Sequence, residues 1–394
     1  MNLLFTLTTY PPSTGGAQIH QHQLALHLKK QHDIQVVSHW DNNRTDWLLG
    51  TTVRAPSINK DYTIGDIPVH CMGIPWKGKM LMAPFVAAYY PVMQLALPVI
   101  ASNIEKYLRP YAEKTDLIHN VRIGREGLSY ASFKAARRFG IPFVLTPVHH
   151  PRWVGWRYKA YNKLYTMADA VLALTHAEKQ TLLQLGVEEE KAHVIGHGPV
   201  LETTAKPERF LQKHHIEGPL VLFLGQHYPY KGYKELLQAA KIAWEKIPGT
   251  HFAFIGPPVG QSETVFKETP DKRIHRLGNV TLQEKTDALA ACSLLCVPST
   301  QESFGGVYAE AWSFKKPVIG CRIPAVSEVI SDEVDGYLVS PSREPGEIAE
   351  KIIFLLENEA ASRQLGTAGK KKVEEKYTWQ RIAERVEKVY KITL

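Results

Sequence analysis

Short apolar runs rich in β-branched residues alternate along this chain with longer stretches whose apolar positions recur at helical spacing. This alternation is typical of α/β units, in which helices cover a mostly parallel sheet. It occurs twice, on either side of a segment with turn dipeptides between Gly198 and Pro219. The predicted strands of the first half are 3–7, 34–38, 69–72, 116–119, 143–146, 170–174 and 193–195. The second half has predicted strands at 220–224, 252–255, 294–297 and 318–319, and helices at 233–246, 282–291 and 307–313.

The repeated α/β pattern predicts two Rossmann-like domains, which agrees with a length of 394 residues. We assign residues 1–198 to an N-terminal domain, 199–218 to a linker and 219–376 to a C-terminal domain. Residues 377–394 are predicted to form a C-terminal helix that crosses back to the N-terminal domain.

Residues 80–104 are an uncharged run that is long enough to span a bilayer. Pro84, Pro91 and Pro98 would break or kink a spanning helix, and polar side chains lie near the centre of the run. We therefore predict a helical region between strands, and a monotopic contact with lipid is the alternative.

The composition, 44% hydrophobic and 22% charged, is that of an ordinary globular protein. Four irregularly spaced cysteines favour neither a disulfide framework nor a zinc site. Residues 1–5 lack the basic region of a secretory signal, so we expect a cytoplasmic protein. A peripheral position at the inner face of the membrane is the open alternative.

Most of the net charge of +8 lies in the first half, where residues 1–200 carry 21 Lys and Arg against 14 Asp and Glu. This excess indicates an anionic partner, and a solvated surface is the alternative. No nucleic-acid-binding motif occurs, so a peripheral contact with an anionic membrane or a lipid-linked acceptor is favoured. The basic residues are Lys77, Lys79, Arg122, Arg125, Arg137, Arg138, Arg152, Arg157, Lys159 and Lys163, interleaved with Trp76, Trp153, Trp156, Tyr158 and Tyr161.

Two loops follow predicted strands and precede helices. The first, at residues 9–16, ends in Gly15 and Gly16, which let the backbone approach an anion at the helix N-terminus. The second, at residues 225–232, contains Lys231 where its ammonium and a helix N-terminus can face one anion. Taken alone, the first loop is also compatible with a simple turn, and the second with a solvated lysine.

A third loop follows the strand at 294–297 and carries two carboxylates. Glu302 lies in the loop, and Glu310 lies about one turn into the helix that Gly305 and Gly306 open. The helix N-terminus can hold phosphate, and carboxylates accept hydrogen bonds from sugar hydroxyls. This combination suits a sugar nucleotide, whereas two solvated glutamates are disfavoured by the apolar residues that flank Glu310.

With these loops, nearly the whole chain resembles the retaining glycosyltransferases of family 4. The resemblance depends above all on the E-x7-E motif of Glu302 and Glu310, followed by Lys-Pro-Val at 316–318. It implies the GT-B fold, an α/β architecture with two Rossmann-like domains that face each other across a cleft. The N-terminal domain would be the acceptor side and the C-terminal domain would bind the nucleotide sugar.

The resemblance also implies residue roles. Glu310 would bind the ribose of the donor, Glu302 would face the transferred sugar, and Lys231 would neutralise the diphosphate. Either His149 or His150 would contact the donor sugar, because the register leaves both open. The implied catalytic residues are Glu302, Lys231, His149 and His150. The implied donor-binding residues are Gly15, Gly16, Gln226, Lys231, Ser303, Phe304, Gly305, Gly306 and Glu310.

Two positions depart from the family pattern. The family has an arginine directly after the glycine of the second loop, where this chain has Gln226. One cation of the phosphate clamp is then either missing or supplied elsewhere, by His227 or Arg322. The family's Asn-Gly turn at the end of the first domain is replaced by His-Gly-Pro at 197–199.

These features predict a hexosyltransferase that moves a sugar from a nucleotide sugar to a glycan or lipid-linked acceptor with retention of configuration. No Asp-x-Asp occurs to hold a divalent metal to the diphosphate, so we expect neither metal nor cofactor. A UDP-sugar is favoured over a GDP-sugar, and both stay open. The alternatives are an epimerase of the same architecture and a non-catalytic nucleotide-sugar-binding protein, the latter suggested by Gln226.

Overall fold

The computed structural model describes residues 1–13, 15–40, 47–122, 124–150, 153 and 155–394. They form two compact units, one of residues 1–196 with 379–394 and one of residues 197–378. Thr14 of the first loop and Arg152 of the basic group lie outside the described residues.

An eight-stranded sheet forms the centre of the first unit. Its strands are β1 (Asn2–Thr6), β2 (Asp33–Ser38), β3 (Lys60–Ile64), β4 (Ile67–Cys71), β5 (Leu117–Val121), β6 (Phe143–Thr146), β7 (Ala170–Ala173) and β8 (Ala192–Val194). They are ordered β3-β4-β2-β1-β5-β6-β7-β8, and only the β3–β4 pair is antiparallel among the described strands. The helices before residue 196 are α1 (Gly16–Leu28), α2 (Trp76–Ala87), α3 (Met93–Ala112), α4 (Gly127–Phe139), α5 (Lys159–Met167) and α6 (His176–Gln184).

The second unit contains a six-stranded parallel sheet. Its strands are β9 (Leu220–Leu224), β10 (His251–Ile255), β11 (Ile274–Gly278), β12 (Leu294–Cys296), β13 (Val318–Cys321) and β14 (Gly336–Val339), in the order β11-β10-β9-β12-β13-β14. Its helices are α7 (Pro207–Lys213), α8 (Tyr233–Lys246), α9 (Ser262–Lys267), α10 (Leu282–Ala291), α11 (Gly306–Ser313), α12 (Pro324–Val329), α13 (Pro345–Glu357) and α14 (Glu359–Lys372). A π-helical turn, Val373–Tyr377, follows α14.

The central strands are buried because helices cover both faces of each sheet. All five residues of β5 and of β9 are buried, as expected for parallel strands in an α/β layer structure. In each sheet the strand order reverses next to the first strand of the unit, between β1 and β5 and between β9 and β12. Ligands of open α/β sheets bind at the carboxyl ends of the strands at such a reversal.

The predicted linker contains a helix that the sequence analysis missed. Helix α7 lies within residues 199–218, and its Phe210 is buried. Arg209 on this helix pairs with Asp287 of α10 at 2.5 Å. The segment is therefore part of the second unit rather than a free connection, because its apolar and charged side chains both have partners there.

The last helix, α15 (Trp379–Thr393), groups with the first unit. Its Tyr390 hydroxyl lies 2.6 Å from Nδ1 of His119 on β5, and the other ring nitrogen of His119 lies 2.7 Å from the Thr146 hydroxyl. Burial lowers the pKa of His119 to about 3, so the ring is neutral near pH 7. A buried hydrogen-bonded chain thus connects α15 to the sheet.

The uncharged run at residues 80–104 forms the end of α2 and the first part of α3. Pro84 and Pro98 lie inside these helices, whereas Pro91 lies in the break between them. Among the described residues, no helix has both the length and the hydropathy needed to cross a membrane.

Candidate functional site

The second and third sequence loops meet in the second unit. They follow β9 and β12, which are neighbours at the reversal of strand order. The backbone N–H of Thr300 donates to the carbonyl oxygen of Tyr230 at 2.8 Å and joins the two loops directly. Residues that are about 70 positions apart in sequence therefore share one edge of the sheet.

Glycine is required where the two loops touch. Gly232 has a φ of 83°, in the left-handed region, and a Cβ there would lie 2.6 Å from Cγ of Pro298. Other residues would be strained by the dihedral angle and would collide with the third loop. Gly232 thus fixes the position of the preceding Lys231.

Lys231 and Glu302 form an ion pair across the two loops. Nζ of Lys231 lies 2.5 Å from Oε1 of Glu302, and the side chains are 18% and 12% exposed. A charge-assisted hydrogen bond of this kind orients both groups at the carboxyl edge of the sheet. The predicted phosphate-binding cation and the predicted sugar-facing carboxylate are therefore direct neighbours.

The glycine pair opens α11 as the sequence predicts. Gly305 precedes the helix with a φ of 84°, and a Cβ on it would lie 2.4 Å from the ring of Tyr308. Gly306 is the first helical residue, and the first backbone N–H groups of a helix have no partner within the helix.

Phe304 differs from the prediction of a donor-contacting side chain. Its ring is buried, stacks on the ring of His197 at a centroid distance of 5.7 Å, and meets Tyr377 edge-on at 5.1 Å. The side chain of Phe304 therefore packs against protein, and only its backbone is available to a ligand. Ser303, directly before it, is half-buried in the same loop.

Glu310 is a buried carboxylate with one occupied and one unoccupied oxygen. The residue is 6% exposed, and its Oε1 accepts hydrogen bonds from Nζ of Lys285 at 2.7 Å and from the N–H of Val200 at 3.3 Å. Its Oε2 is buried and has no hydrogen-bond partner among the described residues. An unsatisfied buried acceptor is costly, so this oxygen is suited to a ligand hydroxyl.

Sequence reasoning missed Lys285, which lies in the first turn of α10. Its ammonium balances the charge of Glu310 and leaves Oε2 free. The two residues are 25 positions apart and belong to different helices, so no local motif connects them. A polar position on an otherwise half-buried helix is the only signal in the sequence.

One of the two residues suggested as replacements for the missing arginine, His227, does not fit that role. His227 is fully buried among Phe223, Tyr233 and Phe266, and burial lowers its pKa to about 4, so it is neutral near pH 7. Arg322 pairs with Asp332. Gln226 itself is exposed, and the cations next to the carboxylates are Lys231 and Lys285.

The unusual His-Gly-Pro turn reaches the glycine pair. A Cβ placed on Gly306 would lie 3.0 Å from Cε1 of His197, so the imidazole stands beside the first turn of α11. Burial lowers the pKa of His197 to about 4, and the ring is neutral near pH 7. The turn also places Val200, whose N–H donates to Glu310. The His-Gly-Pro turn therefore lies against α11 at two places, Gly306 in its first turn and Glu310 further along.

Gly15 and Gly16 belong to the first unit, where they follow β1 and begin α1. A Cβ on Gly16 would meet nothing within 4 Å, so the space beside it is open, whereas one on Gly15 would collide with Gln18. The loop therefore presents bare backbone at the carboxyl edge of the first sheet.

His149 and His150 follow β6 in the first unit. His149 is buried, and its ring atom Nδ1 lies 3.5 Å from the hydroxyl of Tyr165. Its backbone N–H donates to Oε1 of Glu178 at 2.5 Å. Burial, followed by the charge of Arg122, lowers the pKa of His149 to about 4. His150 is half-buried against Trp153. Both histidines stay candidates for contact with the donor sugar.

Comparisons with known proteins agree with these two units. The Glycosyl transferase 4-like domain family matches residues 15–198, and the Glycosyl transferases group 1 family matches residues 206–372. The alpha-maltose-1-phosphate synthase of Mycolicibacterium smegmatis is 23% identical over 428 residues, which cover 99% of each chain.

Two further proteins are similar over part or all of the chain. An uncharacterized glycosyltransferase of Methanocaldococcus jannaschii is 32% identical over 171 residues, which are 43% of this chain and about half, 47%, of that protein. The crystal structure of HepE from Anabaena in complex with UDP and glucose has a TM-score of 0.75 and 20% identity, with 100% of both chains covered. The two glycosyltransferase families thus match adjoining parts of the chain, residues 15–198 and 206–372, and the chain is a glycosyltransferase of the GT-B fold.

Proposed function

We propose that this enzyme transfers a hexose from a nucleotide sugar to a hydroxyl of a glycan or lipid-linked acceptor, with retention of configuration and without a metal ion. The carboxylate of Glu310 is the observation that carries the proposal. Lys285 holds one of its oxygens at 2.7 Å, and the other is buried without a partner in the described part of the chain. The ribose hydroxyls of the donor would supply the missing hydrogen bonds.

The departing diphosphate gains negative charge as the glycosidic bond breaks. Fixed donors aimed at that charge contribute the largest catalytic effect, and removal of one costs roughly 3 to 4 kcal/mol in comparable sites. Lys231 and the first turn of α11, with Gly305 and Gly306, would hold the diphosphate. In this proposal the diphosphate takes the ammonium of Lys231 over from Glu302, and the carboxylate of Glu302 then faces the transferred sugar.

The remaining roles follow from the resemblance to the family. His149 or His150 would contact the sugar, and the backbone of Gly15 and Gly16 would approach the donor. Retention of configuration is proposed because the chain shares the E-x7-E motif of a retaining family. Metal independence is proposed because the sequence has no Asp-x-Asp to hold a divalent cation, and because Lys231 and Lys285 supply positive charge beside the two carboxylates.

A UDP-sugar is the proposed donor, since the Anabaena structure with a TM-score of 0.75 contains UDP. Calorimetric titration with UDP, UDP-glucose and GDP-mannose tests the donor site directly. At a hundred times its dissociation constant, a bound ligand adds about 2.7 kcal/mol to stability, so thermal shifts rank the candidates. We expect UDP to bind in the presence of a metal chelator. The proposal would be contradicted if none of the three nucleotides binds.

Two other activities fit the same donor site and are distinguished by product analysis. An epimerase would convert the nucleotide sugar without an acceptor, and a non-catalytic protein would bind UDP but transfer nothing. Nuclear magnetic resonance of the incubated donor, with and without a panel of saccharide and lipid acceptors, separates these outcomes. The proposed transferase forms a product with unchanged anomeric configuration only when an acceptor is present.

We also propose a peripheral contact between α2–α3 and an anionic membrane. Four apolar side chains of these helices are largely exposed: Trp76 63%, Met80 65%, Leu81 50% and Leu95 71%. No carboxylate occurs between Asp66 and Glu105, whereas Lys77 and Lys106 are exposed in this region. Exposed apolar residues with lysines alone suit the surface of an anionic bilayer.

Co-sedimentation with vesicles tests this contact. We expect the chain to bind phosphatidylglycerol-containing vesicles at low salt and phosphatidylcholine vesicles much less. Leu95→Ser should lower the bound fraction severalfold, and Ile392→Ser, which alters an apolar residue of α15 that is 64% exposed, is the matched control. Equal binding to neutral and anionic vesicles would contradict the proposal.

A further inference from the structure

Arg122 lies at the ligand-binding edge of the first unit. Arg122 directly follows β5, which neighbours β1 at the reversal of strand order. Its backbone N–H donates to the carbonyl oxygen of Thr146 at 3.0 Å. His149 follows β6, the next strand of the sheet. Arg122 therefore lies at the carboxyl end of a strand beside the reversal of strand order in the first unit, as the third loop does in the second unit.

Two aromatic rings enclose the guanidinium of Arg122. Its central carbon lies 3.3 Å from the ring centroid of Trp153 and 4.0 Å from that of Tyr161. The residue is 4% exposed. Cation–π contacts of this kind hold the planar group in one orientation and leave its N–H edge available for an in-plane partner.

The positive charge of Arg122 is not balanced within the described part of the chain. Its Nε is buried without a hydrogen-bond partner, and no described carboxylate forms an ion pair with the guanidinium. Arg109 and Arg137, by contrast, pair with Glu105 and Asp169 at 2.7 and 2.8 Å. Burial of an unpaired charge costs several kcal/mol, so an incoming anion would relieve a real penalty.

The nearby carboxyl of Glu126 does not supply the missing partner. Its Oε2 accepts a hydrogen bond from the hydroxyl of Tyr89 at 3.0 Å, and its Oε1 is buried without a partner among the described residues. Burial raises the pKa of Glu126 and favours the neutral acid. A neutral carboxyl can donate to an anion, so the group adds a donor rather than a competing charge.

We propose that Arg122, held between Trp153 and Tyr161, binds a phosphate group of the acceptor. A phosphate presents two oxygens to the guanidinium in the bidentate geometry that this side chain favours. Arg125 and Arg157, whose guanidinium groups lie 5.6 and 5.1 Å from the ring of Tyr90, add to the positive charge of the first unit. The inference rests on the proposed function and deepens it, since it names the class of acceptor as phosphorylated.

The phosphate could belong to a soluble sugar phosphate or to a lipid headgroup, and the experiment separates these sources. The full chain is first saturated with UDP, so that the donor site cannot take up phosphate. It is then titrated calorimetrically with inorganic phosphate and glucose 1-phosphate, and separately sedimented with phosphatidylcholine vesicles that contain phosphatidic acid. A sugar phosphate source predicts tighter binding of glucose 1-phosphate than of phosphate, and a lipid source predicts capture by the vesicles.

Arg122→Gln should weaken phosphate binding at least tenfold and leave the dissociation constant of UDP unchanged. Arg122→Lys keeps the charge but loses the planar fork, and should lie between the parent and the glutamine variant. Arg54→Gln is the matched control, because Arg54 is exposed and also lies over an aromatic ring, that of Trp47, at 5.1 Å. Circular dichroism melting confirms that each variant is folded.

Phosphate binding that is equal in the parent and Arg122→Gln, or that is lost equally in Arg54→Gln, would overturn the inference. Absence of phosphate, glucose 1-phosphate and phosphatidic acid binding by the parent would overturn it as well. Failure of the proposed function is a separate outcome, since it would be seen as absence of UDP binding. A titration with phosphate alone would then still report on Arg122.

Discussion

The ammonium of Lys285 lies 2.7 Å from Oε1 of Glu310, whereas Oε2 of the same carboxylate is buried without a hydrogen-bond partner among the described residues. One oxygen is thereby paired with a cation, and the other has an unused capacity to accept a hydrogen bond. The pair explains how a carboxylate can be buried near the N-terminus of α11 without being consumed by contacts within the protein.

The first prediction concerns this pair. Lys285→Met keeps most of the length of the side chain but leaves the Glu310 carboxylate without its cation, so UDP should bind severalfold more weakly. The free energy of unfolding should fall by about 1 to 3 kcal/mol, because a buried carboxylate oxygen loses its hydrogen-bond donor. Calorimetry with UDP and urea-induced unfolding measure the two effects.

The matched control is Lys213→Gln. Lys213 pairs with Glu284 at 2.6 Å in the same unit, but its side chain is 59% exposed. Exposed pairs contribute about 0 to 1 kcal/mol, so UDP affinity should be unchanged and stability nearly so. An equal loss of UDP affinity in both variants would remove the special role of Lys285.

Much of the fold could be predicted from the pattern of apolar positions. Helices α8 and α10 and strands β6 and β9 have the predicted bounds, because each is a strongly periodic or wholly apolar segment between turn residues. Strands β3, β11 and β14 were missed. β3 alternates between half-buried and exposed residues at the edge of its sheet, and its hairpin depends on the positive φ of Gly65 and Asp66.

The candidate site could be predicted as far as each loop carries its own motif. Lys231, Glu302 and Glu310 lie in such loops, and the structure brings the first two together. Lys285 could not be predicted, since its partner is contributed by another helix. The expectation of a cationic His227 was wrong because burial, which decides the charge of a histidine, is a tertiary property.

The second prediction concerns Lys231 and Glu302. Lys231→Ala should lower turnover at least about a hundredfold with saturating donor, because the leaving diphosphate loses a fixed cation. Glu302→Gln should also lower turnover but leave UDP binding nearly unchanged, since the carboxylate is proposed to face the sugar. Lys241→Ala, an exposed lysine of α8, is the control. Full turnover of Lys231→Ala with saturating donor would refute the phosphate role.

The third prediction concerns the glycine that joins the two loops. Gly232→Ala combines an unfavourable φ of 83° with a Cβ 2.7 Å from the carbonyl oxygen of Pro298. We expect a loss of at least about 2 kcal/mol in the free energy of unfolding, together with weaker UDP binding through the displaced Lys231. Gly249→Ala places its Cβ in open space and should change stability by no more than about 0.5 kcal/mol.

The fourth prediction concerns the carboxylate that positions His149. Each oxygen of Glu178 accepts a backbone N–H, one from His149 at 2.5 Å and one from Leu174 at 2.7 Å. Glu178→Gln offers one acceptor only, so an amide N–H would face another donor at a cost of about 1 to 3 kcal/mol. Urea unfolding measures this loss, and Glu113→Gln, at an exposed glutamate after α3, should be neutral.

The last prediction concerns acid sensitivity. The pKa of His227 is lowered to about 4 by burial and then by Arg276, below its ordinary value of 6.5. Between about pH 6.5 and 4 the unfolded chain binds the proton and the folded chain does not, so stability falls as the pH falls through that window. One such group contributes a slope of up to about 1.4 kcal/mol per pH unit.

His227→Phe should remove this contribution and keep the aromatic packing with Phe223, Tyr233 and Phe266. Because both ring nitrogens of His227 are buried without partners among the described residues, the variant should be at least as stable as the parent at pH 7.5. Its advantage should grow as the pH is lowered to 5 in urea unfolding. His215→Asn, at an exposed histidine of the same unit, should keep the parent's slope. A parent-like slope in His227→Phe would show that the proton is taken up elsewhere, at half-buried histidines such as His197 or His275, whose pKa values are also lowered to about 4.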